Sequence, residues 1–283
     1  MRRLLTVCVA ILISTVFGFS QSGFGGGGGT GGQGRDDHDD SAPIQSGYAV
    51  ITPAFPTSDL VVFGTFGLRH GSDTTQASII PPDLTTNAIM FANSGDRLLR
   101  NLGVALVNPG VGSVDVTLTL RKDDGTSVNA TTITVATHRQ IAKLITELFS
   151  ALPRDITGTL SITATGPISA IGLRFRGSNF STLQVTNITK FPGPLPIMAT
   201  GVGGIGAILV PQFAAGGGWV TEILIANIGT NSLTVRLDLF KQDGTPLTAA
   251  LNRQTGSSFT NLTIPAGGLL SMAPRNTNGD SDF

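Results

Sequence analysis

Val104–Thr126 reads VALVNPGVGSVDVTLTLRKDDGT, and the same frame returns without a gap at Ile223–Thr245 as ILIANIGTNSLTVRLDLFKQDGT. In the first copy Val114, Val116, Leu118 and Leu120 alternate with Asp115, Thr117 and Thr119. A period of two is the mark of a strand with one wet face. Asn108-Pro109-Gly110 reads as a turn. Asp123-Asp124-Gly125 reads as a hairpin tip, where glycine accepts the positive φ. Each copy is therefore two strands, a turn and a hairpin tip. This predicts an all-β fold built from tandem β-sandwich modules.

The composition agrees. Thr, Val, Ile and Gly abound, residues that suit strands and tight turns rather than helices. Glutamate occurs only at Glu147 and Glu222, and lysine only at Lys122, Lys143, Lys190 and Lys241. Charged residues are 13% and apolar residues 40% of 283, a low charge share against the usual ~25%. Such a chain can bury a core, and its length suggests about two domains.

Outward from the repeat, residues 88–190 read as one complete module. Ser127–Val135 is a return strand. Ile141, Leu144, Ile145, Leu148 and Phe149 follow helical spacing, which predicts one short amphipathic helix near 138–152. Thr137 is placed to cap it and Pro153 follows its end. Gly158–Thr165, Ile168–Arg176 and Thr182–Ile188 read as strands. A Pro/Gly linker spans 191–208. The second module covers 209–283, and the last two strands of the first module have no counterpart in it.

Those two strands have a counterpart at the other end. GYAVITPAFP (Gly47–Pro56) resembles GTLSITATGP (Gly158–Pro167), and GLRHGS (Gly67–Ser72) resembles GLRFRGS (Gly172–Ser178). Residues 47–82 therefore read as a two-strand partial module. It can complete the second module of its own chain or that of a neighbouring molecule, giving a homo-oligomer by strand exchange. The third reading is a source sequence truncated at its C-terminal end.

Residues 1–20 read as a signal peptide: Arg2 and Arg3, an apolar run from Leu4 to Phe17, then small residues. The run is shorter than the ~20 residues of a spanning helix, so no membrane span is expected after cleavage. The expected location is secreted, extracellular or at the cell surface, with the periplasm also open. Residues 21–46 are a Gly-rich and acidic flexible linker. Its RDDHDD run (Arg35–Asp40) reads as solvated charge rather than a cation site.

The residues from Ala136 to Val185, together with Pro211–Asn227 and Arg253–Gly268, resemble modules of large exported bacterial proteins. The resemblance covers most of residues 47–275 and rests on turns and core strands. It implies an immunoglobulin-like sandwich and export, and brings no catalytic or binding residues with it.

Function classes narrow by exclusion. The formal charge is zero, without a basic footprint for nucleic acid. The one cysteine, Cys8, lies in the leader, so the mature chain offers no disulfide, zinc thiolate or cysteine nucleophile. Gly201–Gly206 fits GxGxxG, but a Pro-rich stretch precedes it and no helix follows, so it reads as linker rather than cofactor site. Asp124-Gly125-Thr126 and Asp243-Gly244-Thr245 reverse the last two positions of the aspartic-protease triplet and read as hairpin turns. His38, His70 and His138 lack partners at metal-ligand spacing. No catalytic residue, cofactor or metal is expected, and the chain is not expected to be an enzyme.

Candidate ligand contacts remain. Arg174 and Arg176 share one face of a strand around Phe175, where they can meet an acidic glycan or a surface protein; a solvated sheet face is the ordinary alternative. Trp219 beside Gly216–Gly218 can stack on a sugar ring, or pack into a core or turn. The expectation is a non-enzymatic structural or adhesive protein, with a carbohydrate-binding module centred on Trp219 as the alternative.

Overall fold

The computed structural model describes residues 5–9, 46–54, 60–70, 73–189 and 195–281. His38, the RDDHDD run and nearly all of the leader and of the linker 21–46 lie outside these. The fold is all-β, and every strand pairing is antiparallel.

The N-terminal segment contains β1 (Leu5–Val9), β2 (Gly47–Ile51), β3 (Gly64–His70) and β4 (Asp73–Ile79). β1 pairs with β2 and β3 with β4. The first unit contains β5 (Thr85–Gly95), β6 (Arg100–Asn108), β7 (Val114–Lys122), β8 (Ser127–Val135), β9 (Arg139–Leu144), the helical turn α1 (Ile145–Leu148), β10 (Asp155–Arg176), β11 (Asn179–Leu183) and β12 (Thr186–Asn187). A short hairpin follows, β13 (Leu195–Ala199) and β14 (Val202–Gly204). The second unit holds β15 (Ile223–Ala226), β16 (Leu233–Asp238), β17 (Ala249–Leu251), β18 (Gln254–Gly256), β19 (Ser258–Ile264) and β20 (Leu269–Met272).

β10 organises the first unit. Its first half lies between β5 and β7, and its second half between β6 and β11. The changeover falls at a register shift between Thr163 and Ile168. The expected pair of strands, 158–165 and 168–176, is thus one continuous strand. Pro167, which cannot donate to a ladder, sits in the irregular stretch where its missing N–H costs nothing. Side chains from both halves enter one core. Met90 joins it from β5, Val104 and Leu106 from β6, Val116, Leu118 and Leu120 from β7, and Leu160, Ile162 and Ile168 from β10.

The expected helix over 138–152 is corrected. Residues 139–144 are strand β9, paired with β6 from Asn108↔Arg139 to Gly103↔Leu144, and only 145–148 are helical. The backbone edge of β6 needs a partner, and that demand outweighs a weak helical period. The apolar positions are still covered: Leu144, Ile145 and Phe149 are buried. Glu147 accepts a hydrogen bond from the Leu144 N–H at 2.7 Å. Thr137 bonds the Gly110 carbonyl instead of capping a helix. His138 lies in the β8–β9 turn with φ +53, and its carbonyl accepts the Tyr48 hydroxyl at 3.0 Å.

The N-terminal hairpin β3–β4 docks on the first unit. Ile79, with Phe66, covers Ala105, Val107 and Ile171. Ala77 and Phe66 pack with Leu173 and Phe180, the Phe66 and Phe180 rings stacking at 5.2 Å. Thr182 donates to the Ser78 carbonyl at 2.6 Å. In its second half β10 therefore turns Ile168 and Ala170 into the main core, and Ile171 and Leu173 under the hairpin.

Candidate functional site

The second unit carries the hydrogen bonds of the first at matching positions. Asn108 donates through Nδ2 to the carbonyls of Gly112 (2.7 Å), Val135 (2.9 Å) and Ala136 (3.3 Å), and its Oδ1 accepts from Gly110 N–H at 2.9 Å. Asn227 donates to Asn231 (2.7 Å), Ile264 (3.1 Å) and Pro265 (3.0 Å), and accepts from Gly229 at 2.9 Å. The pairings match too. Val104↔Lys143 on β6–β9 corresponds to Ile223↔Met272 on β15–β20. Val114↔Val135 on β7–β8 corresponds to Leu233↔Ile264 on β16–β19. The hairpin β17–β18 is the extra element between the matched strands.

Burial does not match. Val114, Val116, Leu118 and Leu120 are at most 7% exposed. Their counterparts include Leu233 at 48%, with Val235 and Leu237 half-buried; Leu239 alone is closed, at 5%. The cause is topological. In the first unit β10 pairs with β7, whereas β16 pairs among the described residues with β19 alone. The stretch that corresponds to β5 is also unfilled: residues 207–215 form no strand, and Ile208, Leu209 and Val210 are 74%, 62% and 51% exposed. Among the described residues no strand takes the place of β10, so one edge of β16 is left unpaired and Leu233 and Ile208–Val210 are left exposed. Covering a Leu, Ile or Val side chain fully is worth roughly 1.5–3 kcal/mol, so a strand laid over Leu233 and Ile208–Val210 would be stabilising. Unpaired edges of this kind are sites of strand addition.

The two units meet through polar contacts at one end of the first. Arg174 from β10 lies over the Phe91 ring at 5.0 Å and pairs with Glu222 at 3.3 Å. Glu222 also accepts from Ser271 Oγ at 2.7 Å. Arg100 donates to the Ser281 carbonyl at 3.2 Å, and burial, then the nearby Arg174 cation, lower its pKa. Arg97 makes a two-pronged contact with Asp280. That bond holds the Asp280 carboxyl below the ordinary aspartate range and raises the Arg97 guanidinium. The hairpin tip of the first unit enters the Pro265–Gly268 turn, where Leu269 N–H donates to the Asp123 carbonyl at 2.8 Å. Arg174 thus stands between the units, its side chain 18% exposed. Arg176 is exposed.

Trp219 is 71% exposed, at the end of a turn in which Gly216, Gly217 and Gly218 all have positive φ. Its backbone bonds Gly216 in both directions, at 3.0 and 3.1 Å. The indole itself is outside any core.

The remaining motifs, where they are described, lie in turns and a hairpin. Asp124 accepts from Thr126 N–H at 2.7 Å and Asp243 from Thr245 N–H at 2.9 Å; hydrogen bonds from these threonines lower both carboxyl pKa values. Within the GxGxxG stretch, Val202–Gly204 form the second strand of the β13–β14 hairpin, which no helix follows. Among the described residues no three His, Cys, Asp or Glu side chains gather for a metal, and no helix is long and apolar enough to cross a membrane. A shallow cleft of about 420 Å³ lies between Pro81–Asp83 and Thr182–Asn187.

Compared with protein-family models, curated proteins and solved structures, the chain matches none. The site is therefore read from its own geometry: a partly apolar strand edge on the second unit, unpaired among the described residues, and, separately, an exposed tryptophan turn.

Proposed function

We propose that the chain is a non-enzymatic structural or adhesive protein, secreted or held at the cell surface, built of tandem immunoglobulin-like β-sandwich units. The observation that carries this reading is the partly open face of β16, with Leu233 48% exposed, whose counterpart in the first unit is sealed by β10. Its chemistry suits association rather than turnover: backbone groups offered along an edge, with leucine and valine beside them. Both glutamates, Glu147 and Glu222, are engaged in packing and interface bonds. The ion pairs between units favour a spacer that presents them in fixed relation. Protease treatment of intact host cells tests the location. Digestion of the chain while cytosolic markers survive is expected; a chain protected until lysis and recovered with cytosol would sink the proposal.

A second reading has its own support in Trp219. An exposed indole on a glycine turn offers a flat apolar face of the kind that stacks on sugar rings. Glycan-array binding by the wild type and its loss in Trp219→Ala is the expected pattern. Absence of binding to every glycan removes this reading.

A further inference from the structure

We propose that the open edge of β16 is filled by β2 of a second copy of the chain, so that molecules join head to tail. This rests on the reading of the chain as an associating structural element, and names its partner. Three observations carry it. The place left unfilled is that of the first half of β10, between the β7 and β5 counterparts. The sequence that resembles that half, Gly158–Pro167, is Gly47–Pro56, which includes β2. And β2 is only partly held where it lies: Tyr48 packs on Ala105, Val107 and Ile171 and donates to the His138 carbonyl, but β2 pairs among the described residues only with β1, and Val50 and Ile51 are 46% and 40% exposed.

The correspondence dictates a register. Gly158 pairs with Lys122, Leu160 with Leu120 and Ile162 with Leu118. Transferred, Gly47 lies opposite Lys241, Ala49 opposite Leu239 and Ile51 opposite Leu237. Ile51 then takes the core position of Ile162, which is 1% exposed, and Val50 faces outward opposite Asp238. The hairpin β3–β4 stays docked on its own first unit and tethers the donated strand. Ile208–Val210 forms the other flank.

The test uses full-length chains carrying Cys8→Ser and one added cysteine each. Val50→Cys is mixed with Asp238→Cys, and separately with Thr234→Cys, under mild oxidation. Disulfide geometry demands close Cβ atoms, so the in-register pair is expected to cross-link between chains at least ~10-fold faster than the displaced pair. Light scattering on the wild type is expected to show mass rising with concentration, independently of any cysteine variant. Hydrogen exchange at 208–210 and 233–238 is expected to slow as mass rises. A strictly monomeric wild type overturns the proposal. So does equal cross-linking of both pairs, or a bond that forms only within a doubly substituted chain. Failure here leaves surface exposure on cells intact, whereas a cytosolic location would sink the underlying reading without touching the cross-link.

Discussion

Asn108 and Asn227 close the same loop in the two units, each with one side-chain amide donating to three carbonyls and accepting one N–H. Both are at most 1% exposed. Alanine at either position leaves several buried carbonyls without donors, a penalty of about 1–3 kcal/mol. Asn227→Ala is expected to lower the urea midpoint of the second unit, and Asn108→Ala that of the first. Aspartate, which keeps the shape but not the donors, should be no better than alanine.

How much of this is legible in sequence depends on the range of the interaction. The alternation in Val114–Leu120 is a local signal, and β7 lies where it points. Residues 139–144 mislead because Ile141 and Leu144 belong to a helical period that continues past them. The twin stretch Leu269–Met272 reads as strand and lies opposite Ile223–Ala226; carrying that pairing back to β6 resolves the choice. Gly166-Pro167 reads as a break, but a ladder changing partners tolerates a proline. The Arg174–Glu222 pair spans two units, and no local pattern announces it. The unequal burial of Leu233 and Val114 depends on a strand far away in the chain, so similar sequences meet unequal environments.

Asp280 ties the second unit to Arg97 of the first. Its pKa is depressed when folded, chiefly by the Arg97 hydrogen bond. A depressed carboxyl contributes stability that is complete above its unfolded value, about 3.9, and is lost as pH falls through the folded one. Asp124 and Asp243 act with the same sign. Stability is expected to be unaffected by these groups between about pH 7 and 5 and to fall below about pH 4. Asp280→Asn should remove part of that acid dependence. Because Arg97 is exposed, high salt should weaken the same contact.

Thr159 is 2% exposed, and its hydroxyl has no hydrogen-bond partner among the described residues. It sits in β10 opposite Phe91. Valine has nearly the same shape, suits a strand, and has no hydroxyl to strand from water. Thr159→Val is expected to stabilise the first unit by about 1 kcal/mol, seen as a raised unfolding midpoint. A lowered midpoint would mean that the hydroxyl is bonded in solution.

Gly125 and Gly244 occupy the same place in the two hairpin tips, with φ +85 and +81. Both tips are closed by a Gly N–H bond to the lysine three residues back, at 3.0 Å. Their surroundings differ. A Cβ on Gly125 would lie 2.0 Å from the Ala266 carbonyl oxygen, while one on Gly244 would meet nothing within 4 Å. Alanine at Gly244 should therefore cost only the left-handed backbone strain, about 1–2 kcal/mol. Alanine at Gly125 adds a collision with the other unit's backbone, which must move away. The expected result is that Gly244→Ala shifts one unfolding midpoint modestly. Gly125→Ala should in addition separate the unfolding of the two units and expose the Pro265–Gly268 turn to faster hydrogen exchange. Equal effects from the two substitutions would show that the tip of the first unit does not seat in that turn.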